Sequence, residues 1–126
     1  IAHPMTGCDP DAYEAELASV MGPGLPRFDM VFLGLGTDGH TASLFPGDEA
    51  LDVADRNVTL VERPDHVRMT LTLPVLSAAR TVVFVVAGGA KAWALTELLA
   101  GGDVPAARVR AERVLVLADA PAAGAA

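Results

Sequence analysis

One domain with a modest packed core is what 126 residues can form, and a 52% hydrophobic share excludes a disordered chain. A net charge of −7 argues against a general nucleic-acid or anionic-membrane binder, and admits an anionic small substrate only where a local basic pocket receives it. The single cysteine, Cys8, excludes an intrachain disulfide and fits a reducing cytoplasm.

No apolar run approaches the roughly 20 residues of a membrane span, and the first residues lack the pattern of a signal peptide. The chain begins at Ile1 rather than Met, which points to a fragment. Residues 1–8 read as irregular. Asp9 caps a predicted helix with Pro10 at its first position and Asp11 and Glu14 in its first turns. Tyr13, Leu17 and Val20 fall at near-helical spacing and are expected to face the core. Residues 22–26 end that helix. Met30–Leu33 is an unbroken apolar run, as in a strand buried on both faces of a parallel sheet. It leads into Gly34 and Gly36, then Asp38, Gly39 and His40. A short helix is expected from about Thr41, stopped by Pro46 and Gly47.

An acidic irregular stretch runs to Asp55. Alternating patterns over 57–62 and 68–73 predict two short strands, compatible with pairing, around a loop at 63–67. Residues 74–79 suit one or two helical turns. Thr81–Ala87 is a second apolar strand, ended by Gly88 and Gly89. Residues 91–99 follow as a helix with Trp93, Leu95 and Leu98 or Leu99 inward, stopped by Gly101 and Gly102. Val114–Leu117 is a third apolar strand, and the alanine-rich tail from Ala118 is expected to be frayed or weakly helical. Strands alternating with helices predict an α/β fold with a largely parallel sheet, whose carboxyl edge gathers the loops after Leu33 and Ala87. His40 and Lys91 then face one crevice.

Gly34, Gly36 and Gly39 satisfy G-x-G-x-x-G, but Asp38 would repel a pyrophosphate and Pro46 cuts the next helix too short for a dinucleotide unit. A histidine two residues after a carboxylate, on a glycine loop at a strand end, suits acid–base work at neutral pH, with Asp38 orienting the ring. The plainer alternatives are a hydrogen-bonded loop histidine and an aspartate that caps its own turn. Lys91 is the only lysine beside eight arginines. It reads equally as a compact anion ligand near a helix start or as a solvated lysine. Arg68 reads as a second anion ligand or a surface charge, and spacing alone favours the surface. No motif makes Ser43 or Cys8 a nucleophile. His3 and His66 read as solvated loop histidines, Trp93 and Tyr13 as core.

LGLGTDGHTASLFPG (residues 33–47) closely resembles the signature of the 6-phosphogluconolactonases. The segments RMTLTLPVLSAAR (68–80), VVFVVAGGAKAWAL (82–95) and VLVLAD (114–119) resemble later family segments in the same order, so the resemblance runs over 9–119. It implies a three-layer α/β/α sandwich of the sugar-phosphate isomerase type, here a single partial domain over residues 1–126 corresponding to the C-terminal part. It implies a cytoplasmic enzyme that hydrolyses 6-phospho-D-glucono-1,5-lactone in the oxidative pentose phosphate pathway, without metal or organic cofactor. By position His40 would be the acid/base and Asp38 its assistant, with Gly36, Gly39, Arg68 and Lys91 binding substrate, the last two at the phosphate.

The family's upstream Gly-Gly-Ser/Thr phosphate loop and Asp-Glu-Arg segment do not occur, and VERPDHV stands where a Lys-Pro-rich run is often found. The isolated chain is therefore expected to be a weak lactonase that self-associates through exposed apolar strand faces. Two other readings are a glucosamine-6-phosphate deaminase and a non-catalytic sugar-phosphate sensor. The deaminases resemble the chain in the same Asp-Gly-His loop but carry a Glu where Phe45 stands, and phenylalanine transfers no proton. A sensor would tolerate loss of Asp38 and His40, and both are present.

Overall fold

The computed structural model describes residues 1–124. Helix α1 spans Pro10–Met21, and its start is as the sequence predicts: the Asp9 carboxylate accepts the Ala12 N–H at 3.2 Å, and Pro10 needs no partner for the N–H it lacks. Leu17 is buried and Tyr13 half-buried, but Val20 is exposed. Helix α1 packs on one strand, β2 (Val58–Arg63), through a stripe that stops short of Val20.

Strand β1 (Met30–Leu33) precedes β2. After β2 come β3 (His66–Leu71), helix α2 (Leu73–Ala78), β4 (Thr81–Val86), helix α3 (Ala92–Ala100) and β5 (Arg113–Ala118). Strands β1, β4 and β5 form a parallel sheet in the order β1-β4-β5, with Met30 opposite Thr81 and Thr81 opposite Arg113. Strands β2 and β3 form a separate antiparallel hairpin. The loop expected at 63–67 is tighter, because β2 runs to Arg63 and β3 starts at His66, leaving Pro64-Asp65 as the turn. His66 is therefore a strand residue, half-buried, with Nδ1 2.5 Å from the Asp65 carboxylate.

Successive strand residues point to opposite faces. One face of the sheet sends Leu33, Val82, Phe84 and Val86 into a core shared with Leu44, Leu51, Leu76 and Leu95. The other face carries Met30, Phe32, Val85, Leu115 and Leu117, all exposed, with Phe32 at 65%. The expectation that β1 is buried on both faces is thus corrected, since no described element covers these positions. Trp93 and Leu99 are exposed too, because α3 turns Ala94 and Leu95 inward. Helix α3 ends as expected, with Gly101 left-handed at φ 68. The tail is tied down over its described part: the Asp119 carboxylate accepts the Ala122 N–H at 2.9 Å, and Ala122 is buried. Residues 125–126 lie outside the described residues. Among the described residues no helix is long and apolar enough to cross a membrane.

Candidate active site

The site grows from the carboxyl end of β1. Past Leu33 the chain folds back on itself: the Gly36 N–H donates to the His40 carbonyl at 2.8 Å and the Gly39 N–H to the Gly36 carbonyl at 3.0 Å. Gly39 has φ 87, and a Cβ on it would lie 2.5 Å from the Val104 Cβ, so only glycine fits there. The Gly39 carbonyl in turn accepts the Ala106 N–H at 3.1 Å.

The short helix expected from Thr41 is absent. The Thr41 hydroxyl donates to the Gly34 carbonyl at 2.8 Å, and Thr41 bridges to Leu44 across a tight turn with Ala42 at φ 51. A helix there would turn Leu44 and Phe45 away from the core that buries both. Burying a leucine contributes about 1.5–3 kcal/mol, enough to outweigh a left-handed alanine.

Asp38 Oδ1 accepts from the His40 backbone N–H at 3.0 Å and from the His40 ring at Nδ1, 2.6 Å away. A carboxylate only accepts, so Nδ1 carries a proton and Nε2 of the neutral ring keeps its lone pair. Burial alone would push the Asp38 carboxyl up. The hydrogen bonds from the His40 amide and ring, with the positive charge of the ring when it is protonated, outweigh it and hold the carboxyl below its ordinary 3.8. Gly36 makes this pair sterically feasible: a Cβ on it would overlap ring atoms Nδ1 and Cε1.

Lys91 sits in the turn Gly89–Lys91 ahead of α3, and its ammonium donates to the Leu35 carbonyl. Leu35 adjoins Gly36, so the Lys91 ammonium is held against the loop that carries His40. Lys91 is half-buried rather than simply solvated, and among the described residues it pairs with no carboxylate. Ahead of this turn, both oxygens of Asp119 accept the Gly88 N–H at 3.1 Å. This long-range contact leaves no local trace in sequence.

Phe45 joins the remaining parts. Its ring centroid lies 4.5 Å from that of His40. The Arg63 guanidinium stands 4.1 Å over the same ring, and that of Arg68 stands 5.9 Å away. Arg68 is exposed, as its spacing suggests, and its guanidinium lies near the ring that packs on His40. Arg63 escaped the sequence reading, although the two-residue alternation that places Arg68 on the hairpin also places Arg63 on the same face. A neighbouring hollow of about 490 Å³ is lined by Asp48, Glu49, Asp52, Asp103 and Arg108 among others, a charge balance that repels phosphate.

The family model described as glucosamine-6-phosphate isomerases/6-phosphogluconolactonase matches residues 3–117. The chain belongs to this family. Within the glucosamine-6-phosphate isomerase/6-phosphogluconolactonase family it is 47% identical over 107 residues to a 6-phosphogluconolactonase of Synechocystis, covering 78% of this chain and 45% of that protein. It is 39% identical over 140 residues to a 6-phosphogluconolactonase of Mycobacterium tuberculosis, covering 96% and 57%. The solved structure of the 6-phosphogluconolactonase from Trypanosoma brucei superposes with a TM-score of 0.76 at 31% identity, covering 90% of this chain and 51% of that one. The chain spans about half the length of the curated relatives it matches. Its α/β fold with a mainly parallel sheet is that of the family, as a partial domain.

Proposed function

We propose that this chain carries the acid–base half of a 6-phosphogluconolactonase site, acting in the cytoplasm on 6-phospho-D-glucono-1,5-lactone within the oxidative pentose phosphate pathway. The observation that carries the reading is the double hold of Asp38 Oδ1 on His40, which leaves Nε2 free as a base. The named relatives add support. Nε2 takes a proton from water as its oxygen attacks C1 of the lactone. Asp38 stabilises the imidazolium that forms. The tetrahedral intermediate then collapses, the bond from C1 to the ring oxygen breaks, and the imidazolium returns the proton to that leaving oxygen. The products are the carboxylic acid and the freed hydroxyl.

Lys91 and Arg68 bring the positive charge that the phosphate of the substrate requires. Gly36 and Gly39 use their N–H groups within the loop, so their part is to leave room for the His40 ring and for Val104 and thereby set the loop that substrate meets. Phe45, packed on His40, argues for the lactonase over the deaminase chemistry.

The test joins this chain to the N-terminal half of the Synechocystis relative and follows hydrolysis of fresh 6-phosphogluconolactone and of unphosphorylated gluconolactone. Lys91→Ala removes a charge-assisted hydrogen bond, so the phosphorylated substrate should be handled roughly 10- to 100-fold less efficiently, with gluconolactone unaffected. Equal loss on both would show that Lys91 serves only to clasp Leu35. Hydrolysis no faster than buffer would overturn the function itself.

A further inference from the structure

The β2–β3 register sets Val61 opposite Arg68 and Arg63 opposite His66. Alternation then places Val61, Arg63, Arg68 and Thr70 on one face of the hairpin. Val61 and Thr70 are buried, and Thr70 Oγ1 accepts the Ser43 N–H at 3.2 Å, so this face lies against the loop that carries His40. The hairpin thus delivers two guanidinium groups to one aromatic ring.

The two differ in counter-charge. Arg63 Nη1 makes a long ion pair with Asp48 Oδ2 at 3.8 Å, beyond hydrogen-bond reach, while among the described residues Arg68 pairs with no carboxylate. Two like charges held near one ring repel, and a shared anion relieves that repulsion. Cation–π attraction holds the Arg63 guanidinium against Phe45, which restrains its position, and its N–H donors suit a tetrahedral oxyanion.

We propose that Arg63 is a phosphate ligand of the His40 site, acting with Arg68 as a guanidinium pair set by Phe45. The assignment rests on the lactonase reading for its ligand, a sugar phosphate monoester. It adds a third cation to Lys91 and Arg68, from the end of β2.

The test uses the 126-residue chain labelled with ¹⁵N. The Nε–Hε signals of Arg63 and Arg68 and the His40 ring signals are followed during titration with inorganic phosphate, 6-phosphogluconate and gluconate. The expected result is that both phosphates shift the two arginine signals, and that Arg63→Met weakens both phosphates about tenfold while gluconate is unchanged. Arg63→Lys, which keeps the charge and loses the fork, should fall between. An amide spectrum matching the parent checks that each variant is folded; if Arg63→Met is not, the Lys variant and the parent's own Arg63 signal decide. Unchanged phosphate affinity in the variants, or an Arg63 signal that phosphate leaves in place, overturns the assignment. If 6-phosphogluconate binds tightly and Arg63→Met does not weaken it, Arg63 falls and the lactonase reading stands. If Arg63→Met weakens inorganic phosphate but 6-phosphogluconate binds no better than phosphate, Arg63 stands and the lactonase reading falls. If neither anion binds the parent chain, the Arg63 assignment falls, and hydrolysis by the chimera decides the lactonase reading.

Discussion

Replacing His40 by alanine should slow lactone hydrolysis by roughly 10²- to 10⁴-fold, the usual contribution of a general base, with the fold intact. The ring is half-buried and packs on Phe45, yet the loop around it is held by backbone bonds and by Leu44, so its loss removes chemistry more than structure. The measurement is the rate above buffer in the chimera with the Synechocystis half, beside thermal unfolding of the variant. Unchanged turnover would show that the proton moves elsewhere. Acidity bears on the same pair with a definite sign. The folded Asp38 carboxyl titrates below its ordinary 3.8, so the stability that the brace contributes is fully present above that value. It is lost as pH falls through the lower, folded value. A loss of activity between neutral pH and about 4 therefore does not come from Asp38.

Gly36→Ala should be nearly as damaging as His40→Ala, for a purely steric reason. The added methyl would overlap the imidazole and come 2.8 Å from Asp38 Oδ1, so ring and carboxylate must part. Gly34, two residues earlier on the same loop, is the control: a Cβ there meets nothing within 4 Å. Gly34→Ala should keep near-parent activity and even gain about 0.4–1 kcal/mol of stability, since alanine restricts the unfolded chain. The pair is compared by turnover and by the His40 ring signals. A Gly36→Ala variant with parent-like turnover would show that the observed ring position is not the working one.

Much of this arrangement can be read in the residues themselves. The Asp9-Pro10 cap, the apolar runs of β1, β4 and β5, and the alternation over the hairpin each follow from a local rule, and each element lies within a residue or two of its predicted place. The strand-end loop with Asp38 and His40 follows from topology, as does its meeting with Lys91. What escaped is set at long range. Apolarity marks Phe32 and Trp93 as suited to burial but does not say whether anything packs on them. The turn at Thr41 depends on a hydroxyl reaching back to Gly34 and on a core waiting for Leu44. Asp119 on Gly88 joins residues far apart in the chain with no local pattern to announce it, and alternation gives the face of Arg63 but not the ring that it meets.

The order of the strands also sets a schedule for folding. The hairpin closes through a two-residue turn, so little loop entropy opposes it. Strand β1 must find β4 across the whole hairpin and α2 before the parallel pair can form. Pairing of that kind is slow, and the residues it positions are the last to gain protection. The backbone at 35–40, where the Gly36 N–H donates to the His40 carbonyl, hangs from the end of β1. It should acquire slow amide exchange only after the hairpin has done so, as pulsed hydrogen exchange during refolding would reveal; protection of the loop before the hairpin would contradict the schedule. The loop of Asp38 and His40 is then a late assembly, finished when two strands separated by the whole hairpin and α2 lie side by side.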